Sequence, residues 1–172
     1  MTEKEIYLAG GCYWGVEKYV SQIKGIISTK AGFANGNTES PSYEQVRYEN
    51  TGHAETVKVI YDAEQLPLPV LLKLFYRIID PVLLDRQGGD VGHQYRTGVY
   101  YKDDEDASIV RESLQELQRQ TVGKVVVEAC PLRNFYEAEE YHQKYLDKNP
   151  GGYCHVPWEE ILWVAGIDPL KM

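Results

Sequence analysis

The stretch EIYLAGGCYWGVEKYVSQIKG, residues 5–25, decides the fold. Residues 5–9 read as a short strand, and Gly10 and Gly11 form a turn. From Cys12 to about Lys24 the apolar positions Val16, Tyr19, Val20 and Ile23 recur at helical spacing. Gly25 then closes the helix.

The same alternation of strand and helix runs outward along the chain. Residues 26–33 predict a second strand, and NGNTESPS, residues 35–42, a loop. Alternation over 56–61 predicts a half-buried strand. A helix is expected over 68–79, with Pro67 and Pro69 near its first turn. Residues 80–94 form a long loop of the kind that is either functional or disordered. A strand follows at 97–101, a charged helix at 104–120, a strand at 124–129 and a last helix at 136–146. With no repeat or interdomain linker, the expectation is one domain over 1–172. Its architecture is an α/β (α+β) two-layer sandwich, helices packed on a mixed sheet.

At 172 residues the chain can bury roughly 70% of its unfolded surface, so folding needs no disulfide or structural metal. The first ten residues lack an apolar run of signal type, and no stretch approaches a membrane span. The expected location is therefore the cytoplasm, with no membrane association. A net charge of -8 argues against a nucleic-acid surface. The 14 tyrosines are mostly core and surface aromatics, but several lie in Gly-rich loops where a phenol serves hydrogen bonding.

Cys12 falls where a strand ends and a helix begins. Helix amides and the macrodipole favour an anion there and are expected to lower the thiol pKa. The glycines leave room beside the sulfur, and Tyr13 and Trp14 offer apolar walls. A buried, inert cysteine fits the position equally well. So do a cysteine hydrolase, an acyltransferase and a thiol peroxidase.

Cys154, in NPGGYCH, lies in a segment expected to be mobile from about residue 147, able to bring a second thiol to the first. Cys130 ends the apolar run VVVEAC and reads as core packing. No CxxC or HExxH occurs, so no metal is expected. His53 and Glu55 precede a strand; His53 reads as a loop hydrogen-bonding residue. Glu55 near apolar rings would stay protonated and could donate to a departing oxygen, although a solvated strand end explains it too. Tyr43 and Tyr95 could hold a polar oxygen or a water.

Together GGCYWGVE, AGFANG, SYEQV, TGHAETV, DPVLLDRQGGDVGHQYRTGVYY, AEEYHQKYL and KNPGGYC resemble the A-type peptide-methionine sulfoxide reductases, over about Ile6 to Cys154. The resemblance implies a ferredoxin-like sandwich and reduction of the S epimer of methionine sulfoxide, free or in oxidised proteins. It implies that Cys12 attacks the sulfoxide sulfur and that Tyr13 and Trp14 receive the methyl group. Glu55 would protonate the oxygen, with Tyr43, Asp90 and Tyr95 around it. Cys12 would become a sulfenic acid, Cys154 would condense with it, and thioredoxin would reduce the disulfide. No bound cofactor is implied, and the family likeness suggests a monomer.

Some features depart from the pattern. Phenylalanine is commoner where Tyr13 stands, no cysteine follows Cys154, and Cys130 has no counterpart. The tail through His155 to Met172 carries Trp158 and Trp163 outside the familiar region. Two other readings compete: a thiol peroxidase using the same thiols, and a non-catalytic module that binds oxidised methionine. The aromatic walls and Glu55 weigh against the first, the paired thiols against the second.

Overall fold

The computed structural model describes residues 1–172. Strand β1 (Glu3–Gly10) runs into Gly11, whose φ of +89° only glycine adopts without strain. Helix α1 (Tyr13–Ser21) starts at once, with Cys12 as its N-cap. Next come β2 (Ile26–Ala34), the short α2 (Tyr43–Tyr48), β3 (Ala54–Asp62) and α3 (Leu68–Tyr76). The expected loop at 80–94 holds a small hairpin, β4 (Arg86–Gln87) and β5 (Asp90–Val91). The chain continues through β6 (Thr97–Tyr101), α4 (Asp104–Gln120), β7 (Glu128–Pro131), β8 (Phe135–Glu137), α5 (Tyr145–Lys148) and α6 (Trp158–Gly166).

Six strands form one sheet in the order β7-β6-β1-β3-β2-β8. β3 lies between β1 and β2 and is antiparallel to both, while β6 is antiparallel to β1. This is the split βαβ arrangement expected of a ferredoxin-like sheet, enlarged by parallel β7 at one edge and antiparallel β8 at the other. Alternation along β1 sends Ile6 and Leu8 to the main core with Val16, Val20, Leu71, Leu74 and Phe75. Tyr7 and Ala9 face a smaller cluster with Ala34, Ala54 and Tyr100, against which Cys130 packs. No helix is long and apolar enough to cross a membrane.

Two expectations are corrected. The helix expected over 136–146 is instead β8, a 3-10 turn at Glu140–His142 and short α5. Sheet pairing overrides helical periodicity there. Residues 135–137 complete the free edge of β2, and a Cβ at Gly32 would collide with the Tyr136 carbonyl and the Phe135 ring. The side-chain amide of Gln143 then continues the ladder. Its Oε1 accepts from Ala31 N at 2.8 Å, and its Nε2 donates to the carbonyls of Ala31 (2.8 Å) and Ala138 (3.0 Å). The strand expected at 124–129 pairs only from Glu128, because Val125 N donates to Gln118 Oε1 and Val126 N to the Pro81 carbonyl. Helix α2, not expected from the sequence, is announced by a capping box, Ser42 with Gln45, that starts at the last residue of the turn cluster. In the tail, α6 buries Ile161 and Val164 in the main core.

Gln143→Ala would leave the Ala31 amide without a partner in a buried setting, while the Ala31 carbonyl keeps the Ala138 amide. The expected loss is about 2 kcal/mol, read as a lower urea midpoint at unchanged slope. A midpoint equal to wild type would show that the edge of β2 closes without this side chain.

Candidate active site

Three central strands deliver one end of the sheet to the site. Register Leu8↔Val57 in the β1–β3 pair, carried two residues further, brings Glu55 level with Gly10, just before Cys12. Pairing of Gly10 with Thr97 brings the chain before β6, with Tyr95, to the same end. The β4–β5 hairpin adds Asp90, and Gln87 Cβ packs on Gly11.

Cys12 is 7% exposed. Burial raises its thiol pKa well above the ordinary range, and the charges of Glu55 and Asp90 push the same way. The amides of Trp14 and Gly15 pull it down by less. The lowered thiol expected from a helix N-terminus is therefore corrected: desolvation outweighs the helix amides.

Glu55 is 1% exposed. Its Oε1 accepts a hydrogen bond from Tyr13 N at 3.2 Å, and its Oε2 has no partner. Burial pushes the carboxyl up to about 8, with Asp90 adding to the shift and the Tyr13 amide opposing it. Near neutral pH both groups carry their protons, a carboxylic acid anchored to the residue after the thiol.

Phenols surround this pair. Tyr95 is buried, and its hydroxyl is raised by burial and by the nearby Glu55, Tyr43, Asp90 and Cys12. Tyr43 opens α2; its hydroxyl accepts from Arg47 Nη1 at 3.1 Å. Asp90 Oδ2 accepts from the Tyr153 hydroxyl at 2.9 Å.

The two aromatic residues expected as walls are held differently. Tyr13 is fully buried between Phe33 and His142, and its hydroxyl has no partner. Trp14 is half-buried. Its ring stacks on Tyr145 at 3.7 Å, and its Nε1–H donates to His142 Nδ1 at 3.1 Å. That bond puts the imidazole proton on Nε2, which faces Glu139 at 3.6 Å. His142 also packs against Tyr43, with ring centroids 4.5 Å apart.

His142 and Glu17 are the residues that sequence reasoning missed here. Glu17 is buried, accepting from Thr29 Oγ1 and Lys144 N at 2.8 Å each, and so ties α1 to the approach to α5. For His142 the available signal was its place among Tyr141, Tyr145 and Gln143 in one short run. His53, read as a loop residue, holds the loop after β2 through its Nε2 and the Thr38 carbonyl, 2.8 Å apart.

Cys154 is half-buried, donates from Sγ to the Val156 carbonyl at 3.3 Å, and has its thiol pKa raised by burial. All three cysteines are free. Cys130 receives a hydrogen bond from Asn35 Nδ2 at 3.5 Å on the other face of the sheet. No cluster of three or more His, Cys, Asp or Glu side chains is arranged to hold a metal. A groove of about 540 Å³ between α3 and α4 is lined by Lys73, Tyr76, Ile109 and Glu116 and contains none of the residues above.

The family model described as peptide methionine sulfoxide reductase matches residues 4–163. The peptide methionine sulfoxide reductase MsrA of Lachnoclostridium phytofermentans is 56% identical over 153 residues, covering 89% of this chain and 92% of that protein. Among solved structures, reduced Mxr1 of Saccharomyces cerevisiae aligns with a TM-score of 0.85 at 39% identity, over 89% of both chains. Mxr1 in complex with Trx2 aligns at 0.61 with 28% identity, over 84% of this chain and 85% of that one.

A folded-state pKa of about 8 for Glu55 lies above the roughly 4.3 of an unfolded chain. The native state thus keeps a proton that the unfolded chain releases, and stability falls as pH rises between those values. Glu55→Gln removes that penalty. Its stability relative to wild type should climb from pH 4 to pH 8 by on the order of a few kcal/mol. A difference that does not change with pH would mean that Glu55 is ionised in the native protein.

Proposed function

The chain belongs to the peptide methionine sulfoxide reductase family, and from that premise we propose that Cys12, Glu55 and Cys154 carry out its reaction. It reduces methionine S-sulfoxide, free or in oxidised proteins, and thioredoxin restores it. In our reading it works in the cytoplasm as a monomer of one domain, without a bound cofactor, and its segment from about 147 moves during the cycle.

One observation carries the assignment. A buried carboxyl, Glu55, accepts a hydrogen bond from the backbone of the residue that follows Cys12, in a site closed to bulk water. Oxygen is a poor leaving group from sulfur until it is protonated, and a buried neutral acid supplies the proton where the bond breaks. Trp14 bounds the place for the methyl group, fixed by Tyr145 on its face and His142 at its edge. Tyr13, its ring enclosed by Phe33 and His142, lines the floor. Tyr43, Tyr95 and Asp90 hold the oxygen and its water.

A neutral thiol is a weak nucleophile, so Cys12 is activated during the reaction rather than before it. Glu55 gives its proton to the oxygen as Cys12 Sγ attacks sulfur, and the thiol proton refills the carboxylate. Oxygen passes from methionine to Cys12: the methionine sulfur is reduced by two electrons, and Cys12 is oxidised by two to a sulfenic acid. The Cys154 thiol displaces the hydroxyl as water, forming the disulfide, and the thioredoxin dithiol reduces it to two thiols. A peroxide carries no S-methyl group for Trp14 to bound.

The test is thioredoxin-coupled turnover on the separated epimers. Wild type should turn over the S epimer alone, and Cys12→Ser should release no methionine. Cys154→Ser should release a single methionine per chain and stop. Glu55→Gln should slow that first release by roughly 10²- to 10⁴-fold, the usual weight of a general acid. In wild type the first-release rate should fall as pH rises through about 8, because the acid form is lost. Turnover of peroxide but of neither epimer would overturn the reading, as would an unimpaired Glu55→Gln variant.

A further inference from the structure

His155 has no part in the chemistry above, yet its ring sits on the turn that carries Cys12. Its Nε2 lies 2.9 Å from the Gly10 carbonyl, an acceptor, so the proton is on Nε2. Its Nδ1 is buried and has no partner. The ring occupies a slot left by two glycines. A Cβ on Gly15 would stand 3.0 Å from Nδ1 and 3.2 Å from Cε1, and one on Gly11 would stand 3.2 Å from Nε2. Glycine inside a helix costs about 1 kcal/mol relative to alanine, and the imidazole gives the reason for it at Gly15. Val156, 3% exposed, packs on the same turn, its Cγ2 3.2 Å from where a Gly15 Cβ would be.

The residue before Cys154 is anchored as well, through the Tyr153 hydroxyl and Asp90. Cys154 is therefore bracketed by two anchors, and both end on residues around Cys12. The chain leading to it is Asn149-Pro150-Gly151-Gly152, and a Cβ on Gly151 would meet nothing within 4 Å. Gly152 packs against Tyr145 and Leu146 and Tyr153 is held by Asp90, so the anchor beyond Cys154 is what fixes the far side of the second thiol.

We propose that His155 is the positioning residue of the disulfide-forming step, a tether that holds the Cys154 segment on the turn bearing Cys12. The proposal rests on the reading of Cys12 and Cys154 as the redox couple. In that step the Cys154 sulfur bonds to the Cys12 sulfur, and the sulfenic hydroxyl leaves with the thiol proton as water. The tether acts through effective concentration, raising the rate of ring closure without touching the reacting atoms. It has no effect on attack at the sulfoxide, which is complete before Cys154 is needed.

The experiment mixes reduced full-length protein with methionine S-sulfoxide in the absence of thioredoxin. It follows methionine release, the Cys12–Cys154 disulfide, and the sulfenic acid trapped by dimedone. His155→Ala should release methionine at the wild-type rate, form the disulfide about tenfold or more slowly, and accumulate the dimedone adduct. His155→Gln, which can still donate to Gly10, should recover part of the rate; His155→Phe, which keeps a ring but no donor, should recover less. Gly15→Ala keeps the imidazole but fills its slot, and should slow the same step.

Disulfide formation at the wild-type rate in His155→Ala would overturn the tether. So would equal slowing of methionine release and disulfide formation together with a lower Tm, the signature of a merely structural residue. If wild type releases methionine but forms no Cys12–Cys154 disulfide, the redox couple itself is misassigned and the tether falls with it.

Discussion

The structure depends on one hydrogen bond in a dry place, from the Tyr13 amide to Glu55 Oε1. It joins the start of β3 to the first turn of α1, two elements that meet only because β1 pairs with β3 and turns at Gly11. A carboxyl held there by a single donor, with its other oxygen unpartnered, is stable only when protonated. That constraint costs stability at neutral pH and supplies the proton the reaction needs. Fold and chemistry meet at this point, and much of the surrounding sequence keeps water away from it.

The same desolvation acts on Cys12. A nucleophile with a permanently low pKa would be exposed to any oxidant that reached it. Here burial above all holds the thiol neutral until a sulfoxide brings its own polar S–O bond into the site. Reactivity then depends on the substrate, which is a form of selectivity. The aromatic layer serves the same end: Tyr145 and His142 lock Trp14, and Glu139 and Tyr43 lie against His142.

Much of this was legible in the sequence because it is local. The strand, turn and helix around Cys12, the apolar face of α3 and the functional loop before β6 each follow from short-range pattern. Cys12, Glu55, Tyr43, Tyr95 and Asp90 come together because sheet register and hairpin closure bring them there. Non-local effects were not legible. Residues 136–146 carry helical spacing, but the open edge of β2 claims 135–137 and Gln143 closes the ladder. The thiol pKa departs from the helix-terminus expectation for a related reason: a helix N-terminus can be read from neighbouring residues, whereas burial by distant segments cannot. The place of His155 between Gly11 and Gly15 joins residues about 140 apart, beyond the reach of any periodicity.

The central claim is that Glu55 is a neutral acid beside Cys12 at physiological pH. An infrared difference titration of wild type against Glu55→Gln measures it directly through the protonated carboxyl stretch. The account predicts a band present at pH 6 and 7 that disappears with a midpoint of about 8. Loss of the band by pH 5 would show an ordinary ionised glutamate and contradict the account.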